Sequence, residues 1–145
     1  MADRVIISIV EDDESLRNAI KRLINSAGLS AEDFGSAEDF LLSDCREASA
    51  CLILDLRLPG ISGLELQNKL VASDCRVPII FISAHGDGDL RTRAMEAGAI
   101  EFLQKPFSEK ALFDAIISSL LLYNSAAADL PGPIFQIESG LSDPL

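Results

Sequence analysis

The chain has no tryptophan, one tyrosine, one histidine and three cysteines, and its 12 basic residues are outnumbered by 23 acids. Each scarcity removes a class of function. A net charge of -11 argues against a nucleic-acid surface, because phosphates are engaged by Lys and Arg that displace counterions. It argues equally against adhesion to anionic membranes. Cys45, Cys51 and Cys75 lack metal-ligand spacing, and His85 is the lone imidazole. A structural zinc site is therefore not expected, and reduced thiols in the cytosol are the default for such a set. No apolar run approaches the roughly 18 residues of a membrane span. The opening "MADRVIISIVEDD" offers only a short apolar run before three acids, too little for a signal peptide. The expectation is a soluble, cytoplasmic protein that binds no nucleic acid through this segment and no membrane.

What is present is an ordinary globular mixture, 48% apolar and 24% charged over 145 residues, which suits one domain with its own core. "RVIISIV" (4–10) predicts a short buried strand. "DESLRNAIKRLINSAG" carries Leu16, Ala19, Ile20, Leu23, Ile24 and Ala27 at helical spacing, stopped by Gly28. "LSAEDF" is a weak strand. Ser36, with Asp39 three residues on, opens a second helix. A third strand covers 50–54, and Ser62 with Glu65 caps a helix to about Ala72. "VPIIFIS" is a fourth strand, 88–97 a helix ending at Gly98, and "IEFLQ" a fifth strand. Ser108 caps a last helix ending near Leu122. Strand and helix alternate five times, which predicts a parallel sheet with helices on both faces. Residues 1–123 form the expected domain. Residues 124–145, with Pro131, Gly132, Pro133, Gly140 and Pro144 and no base, read as a flexible tail or linker.

In such sheets ligands bind beyond the carboxyl ends of the strands. The first strand ends in Glu11 and Asp12, the third in Asp55, the fourth in Ser83 and the fifth in Lys105 before Pro106. Any one of these alone reads more simply as a solvated loop residue or a helix cap, as Asp13 does, and Phe102 alone as core. Together they place three carboxylates, a hydroxyl and an ammonium on one edge. Crowded carboxylates repel and take up protons unless a cation joins them. Mg²⁺, a hard ion that uses few carboxylates, is the natural occupant. A metal, a lysine and a hydroxyl would orient a phosphoryl group, with Asp55 as the nucleophile that accepts it.

The stretches "IVEDDESLR", "LILDLRLPGISGLEL", "PIIFISAHGD" and "AGAIEFLQKPF" resemble the receiver domain of two-component response regulators over about residues 4–122, and "SAEDFL", "SAHGD" and "GAIEFLQKPF" resemble the FixJ-type branch. The resemblance implies a flavodoxin-like (βα)5 three-layer α/β sandwich whose parallel five-stranded sheet has the order 2-1-3-4-5. It implies phosphoryl transfer from a histidine kinase to Asp55, with Mg²⁺ held by Glu11, Asp12, Asp55 and the backbone carbonyl of Arg57. Ser83 matches the switch hydroxyl, Lys105 the phosphate-pairing lysine and Phe102 the switch aromatic. His85 falls where the family tunes dephosphorylation, and Lys105–Pro106 matches its cis peptide. Position 11 is Glu where Asp is commoner.

On this reading the protein is a phosphoacceptor signalling domain and not an enzyme. Phosphorylation switches the surface of the fourth predicted helix, fifth strand and fifth helix toward an output, transcription among the candidates, and homodimerisation is one form the switch can take. FixJ-type regulators usually continue into a DNA-binding domain; the chain reads either as a stand-alone receiver or as the receiver half of a longer protein. Three rivals stand beside this reading. A haloacid-dehalogenase-type phosphohydrolase needs a general acid two residues after its nucleophile, where Arg57 stands. A flavin-binding module needs a first loop that welcomes phosphate, which "EDDES" would repel. A degenerate receiver would serve only as a docking surface, yet all five site residues are present.

Overall fold

A computed structural model describes residues 5–84 and 87–126, with side chains through Leu122. His85 and residues 127–145 of the expected tail lie outside the described residues. The elements run β1 (Ile6–Val10), α1 (Glu14–Ser26), β2 (Ser30–Phe34), α2 (Ala37–Leu42), α3 (Cys45–Ala48), β3 (Ser49–Asp55), α4 (Gly63–Ala72), β4 (Ile79–Ser83), α5 (Gly88–Glu96), β5 (Glu101–Gln104) and α6 (Glu109–Ala126). The five strands pair in parallel in the order β2-β1-β3-β4-β5, the expected flavodoxin-like arrangement.

The sequence explains why the layers form. Every residue of β3 is buried, as befits the central strand, and its side chains alternate between two cores. Cys51 and Ile53 join Ile20 and Ile24 of α1 and Leu112, Ile116 and Leu120 of α6 on one face. Leu52 and Leu54 join Phe40 of α2, Leu66 and Leu70 of α4 and Ala94 of α5 on the other. A fully buried Leu, Ile or Phe side chain contributes about 1.5–3 kcal/mol, so these two apolar layers dominate the stability. The weak strand "SAEDF" is β2, a sheet edge with no fully buried residue.

The ends are set by local chemistry. Asp13 accepts from the Ser15 and Leu16 amides at 3.0 and 3.4 Å to start α1. Ser62 and Glu65 form a complete capping box on α4, and Ser36 accepts from the Asp39 amide at 3.1 Å. Gly28 (φ 85°) and Gly98 (φ 110°) take the left-handed conformation just after α1 and α5. Two features depart from expectation. The one-turn α3 is too short to carry a helical period. Helix α6 continues to Ala126 instead of ending near Leu122; through Leu122, Leu120 is the last apolar residue it buries, so helical backbone outlasts the buried face.

Candidate functional site

Strand register assembles the site. Val10 of β1 pairs with Leu54 of β3, so the next residues, Glu11 and Asp55, emerge side by side at the same edge. Asp55 pairs with Ile82, and Ser83 pairs with Gln104, which brings Lys105 to the end of the neighbouring strand. Backbone bonds continue past the strand ends: Leu56 N–H donates to Ile82 O at 2.9 Å, and Lys105 N–H to Ser83 O at 2.6 Å. Gly63, which opens α4, lies so close to the acceptor strand that a Cβ there would sit 2.4 Å from the Asp55 carbonyl oxygen. The Lys105–Pro106 peptide is cis.

Glu11, Asp12 and Asp55 each offer a carboxylate oxygen within 4.8 Å of the others. Glu11 is fully buried and Asp55 4% exposed, while Asp12 is exposed. The Lys105 ammonium lies 3.1 Å from Glu11 Oε1 and 3.5 Å from Asp55 Oδ2. Glu11 Oε2 accepts from the Asp13 amide at 3.0 Å, and Asp55 Oδ1 from the Arg57 amide at 3.3 Å. Glu11 Oε1 touches Lys105 as an ion pair without an aligned hydrogen bond, so a buried oxygen keeps unused accepting capacity. Burial, then the Glu11 charge, pushes the Asp55 carboxyl up to about 7, against the pull of Lys105. Burial pulls the Lys105 ammonium down, but Glu11 and Asp55 outweigh it and hold its pKa above the ordinary lysine value. One lysine therefore under-compensates three acids. The oxygen-only donors, the spare Glu11 lone pair and the raised Asp55 fit a hard divalent cation.

Residues 7–117 match the family described as response regulator receiver domain. The chain belongs to the response-regulator receiver family. Nodulation protein W of Bradyrhizobium diazoefficiens is 44% identical over 80% of this receiver and 51% of its own length. Transcriptional regulatory protein FixJ of Azorhizobium caulinodans is 36% identical over 83% of the receiver and 57% of its own length. The receiver thus spans about half the length of these relatives. The solved structure of response regulator StyR superposes with a TM-score of 0.81 at 46% identity, covering 87% of the receiver and 64% of that chain. Receivers are signalling domains and not enzymes in the ordinary sense, and this one is a two-component response-regulator receiver of FixJ-like kinship. Among the receiver's described residues no helix is long and apolar enough to cross a membrane.

The remaining expected residues lie on the neighbouring strands β4 and β5. Ser83 is fully buried at the end of β4. Phe102, on β5, is half-buried, with its ring centroid 6.2 Å from that of Phe81 and the Arg91 guanidinium 5.7 Å above its face. Sequence reasoning passed over Asp87. This nearly buried acid contacts the Ser83 hydroxyl at 2.5 Å and pairs with the Arg57 guanidinium. Its only sequence signal is an acid at a helix start, which an ordinary cap supplies as well. The Arg57 side chain is the other half of this pair.

Proposed function

We propose that Asp55 accepts a phosphoryl group from the phosphohistidine of a histidine kinase, with Mg²⁺ bound, and that the new charge resets an output surface. The observation that carries this is the buried Asp55 carboxyl, grouped with Glu11 and Asp12 and 3.5 Å from the Lys105 ammonium. An Asp55 oxygen attacks phosphorus, the phosphorus–nitrogen bond breaks, and the imidazole leaves with the electron pair. The attacking group must be ionised, and Lys105 favours that form. Glu11, Asp12, Asp55 and the Arg57 carbonyl would hold the Mg²⁺. Its charge would neutralise the carboxylates and the phosphoryl oxygens.

The acyl phosphate adds charge of about -1.5 to -2, by analogy with phosphorylated hydroxyl residues. Lys105 and the Ser83 hydroxyl turn toward its oxygens, and Phe102 rotates inward to fill the space Ser83 vacates. The face of α5, β5 and α6 then changes partner preference. Arg91, Arg93 and Glu96, Glu101, and Lys110 with Asp114 give it charges of both signs, which suits a two-fold dimer. The name of the FixJ relative, a transcriptional regulatory protein, supports transcription as the output of a longer protein. Arg57, at the position a phosphohydrolase fills with a general acid, is paired with Asp87, which weighs against that rival. Incubation with Mg²⁺ and a small phosphodonor should add one phosphoryl group, visible in the intact mass. Chelation of Mg²⁺ or Asp55→Asn should abolish it; labelling indifferent to both would refute the proposal.

A further inference from the structure

We propose that Asp87 is a resting-state latch on the switch, a positioning residue that holds the Ser83 hydroxyl away from the acceptor until phosphorylation competes for it. The inference rests on the proposed phosphoryl chemistry at Asp55. Among the described residues the Ser83 hydroxyl has two acceptors within reach, Asp87 Oδ2 at 2.5 Å and the Ala84 carbonyl at 2.7 Å. It carries one proton, and a carboxylate is the stronger acceptor. Neither partner belongs to the Asp55 cluster. For Ser83 to serve a phosphoryl group on Asp55, its bond to Asp87 must break. Interactions made only in the resting arrangement bias the equilibrium toward it by their full differential free energy.

The second partner makes the latch able to open. Asp87 is 7% exposed, and a carboxylate left alone at such a site would be costly. Arg57 Nε lies 3.1 Å from Oδ1 and 3.4 Å from Oδ2, and Nη2 also reaches Oδ1. When Ser83 departs, the charge stays compensated by Arg57, so release strands no buried ion. Arg57 itself is largely exposed and stands two residues after Asp55. Asp87 therefore ties the loop after β3 to the start of α5 across the mouth of the site. A receiver lacking this tie should already lean toward its activated arrangement.

The experiment is a titration with beryllofluoride in saturating Mg²⁺, followed by amide NMR, on wild type, Asp87→Ala, Asp87→Asn, Ser83→Ala, the Ser83→Ala/Asp87→Ala double variant and Asp55→Asn. Melting without Mg²⁺ or mimic is measured in parallel. Asp87→Ala should melt lower than wild type yet half-saturate at about a tenfold lower mimic concentration, the scale of a hydrogen bond to a charged group. Asp87→Asn, which keeps an acceptor without the charge, should fall between. In the Ser83→Ala background, Asp87→Ala should give no further gain. A residue that merely supports the fold would weaken both melting and mimic binding. Half-saturation unchanged or raised in both Asp87 variants, or the same gain without the Ser83 hydroxyl, would overturn the latch. If Asp87→Ala fails to fold, Asp87→Asn decides alone. Wild type that ignores the mimic, or binds it equally well as Asp55→Asn, would refute the acceptor chemistry and the latch with it. Wild type that binds through Asp55 isolates any failure to the latch.

Discussion

Replacing Asp55 by Asn should make the metal-free protein more stable, and by an amount that depends on pH. The Asp55 carboxyl is 4% exposed, and burial followed by the Glu11 charge raises it to about 7 from 3.8. A shift of about three units at about 1.4 kcal/mol each makes the ionised carboxylate cost at most about 4 kcal/mol. Relaxation and water entry reduce this, so a gain of about 2 kcal/mol for Asp55→Asn at pH 8 is the working figure, or about 6–10 °C in Tm for a domain of this size. The sign follows from linkage. A folded-state pKa raised above the unfolded one gives stability that is fully present below about pH 4 and is lost as pH rises through about 7. The advantage of Asp55→Asn should therefore be large at pH 8 and less than half as large at pH 5. Circular-dichroism melts in a chelating buffer at both pH values test this. An Asp55→Asn protein no more stable than wild type at pH 8 would refute the electrostatic reasoning. So would a gain equal at the two pH values.

Three further outcomes are expected. Wild type should melt higher in Mg²⁺ because the proposed site exists only in the folded state, and Asp12→Ala should lose that response while melting higher without metal; a response retained in full would place the ion elsewhere. Gly63→Ala should destabilise by more than about 2 kcal/mol, within the range of strain and overpacking effects, because its Cβ would meet the Asp55 carbonyl oxygen at 2.4 Å; denaturant melts report this, and a neutral variant would mean the α4 start can shift freely. Lys105→Ala should still be phosphorylated yet show a weakened shift from monomer to dimer with beryllofluoride in light scattering, whereas a full shift would remove the lysine from the switch.

Much of the fold was legible because periodicity reports burial. Continuous apolar runs marked β1, β3 and β4, and the spacing of Leu16, Ile20 and Ile24 marked the α1 face turned to the sheet. Strand ends then pointed to Glu11, Asp55, Ser83 and Lys105, since parallel register puts such residues on one edge. Three things stayed hidden for physical reasons. The one-turn α3 is too short to have a period. The end of α6 carries no stripe beyond Leu120. The role proposed for Asp87 depends on its contacts with Ser83 and Arg57, four and thirty residues away, and no local pattern reports a contact made by tertiary packing.

The most direct test of the central claim is to locate the phosphoryl group by reduction. Borohydride converts an acyl phosphate to the corresponding alcohol, and peptide mass spectrometry of the labelled protein then reads the modified position. One modified residue is expected, position 55 in the peptide containing "CLILDLR", formed only when Mg²⁺ is present. An unmodified position 55 in labelled protein, with the phosphoryl group on another side chain, would contradict it.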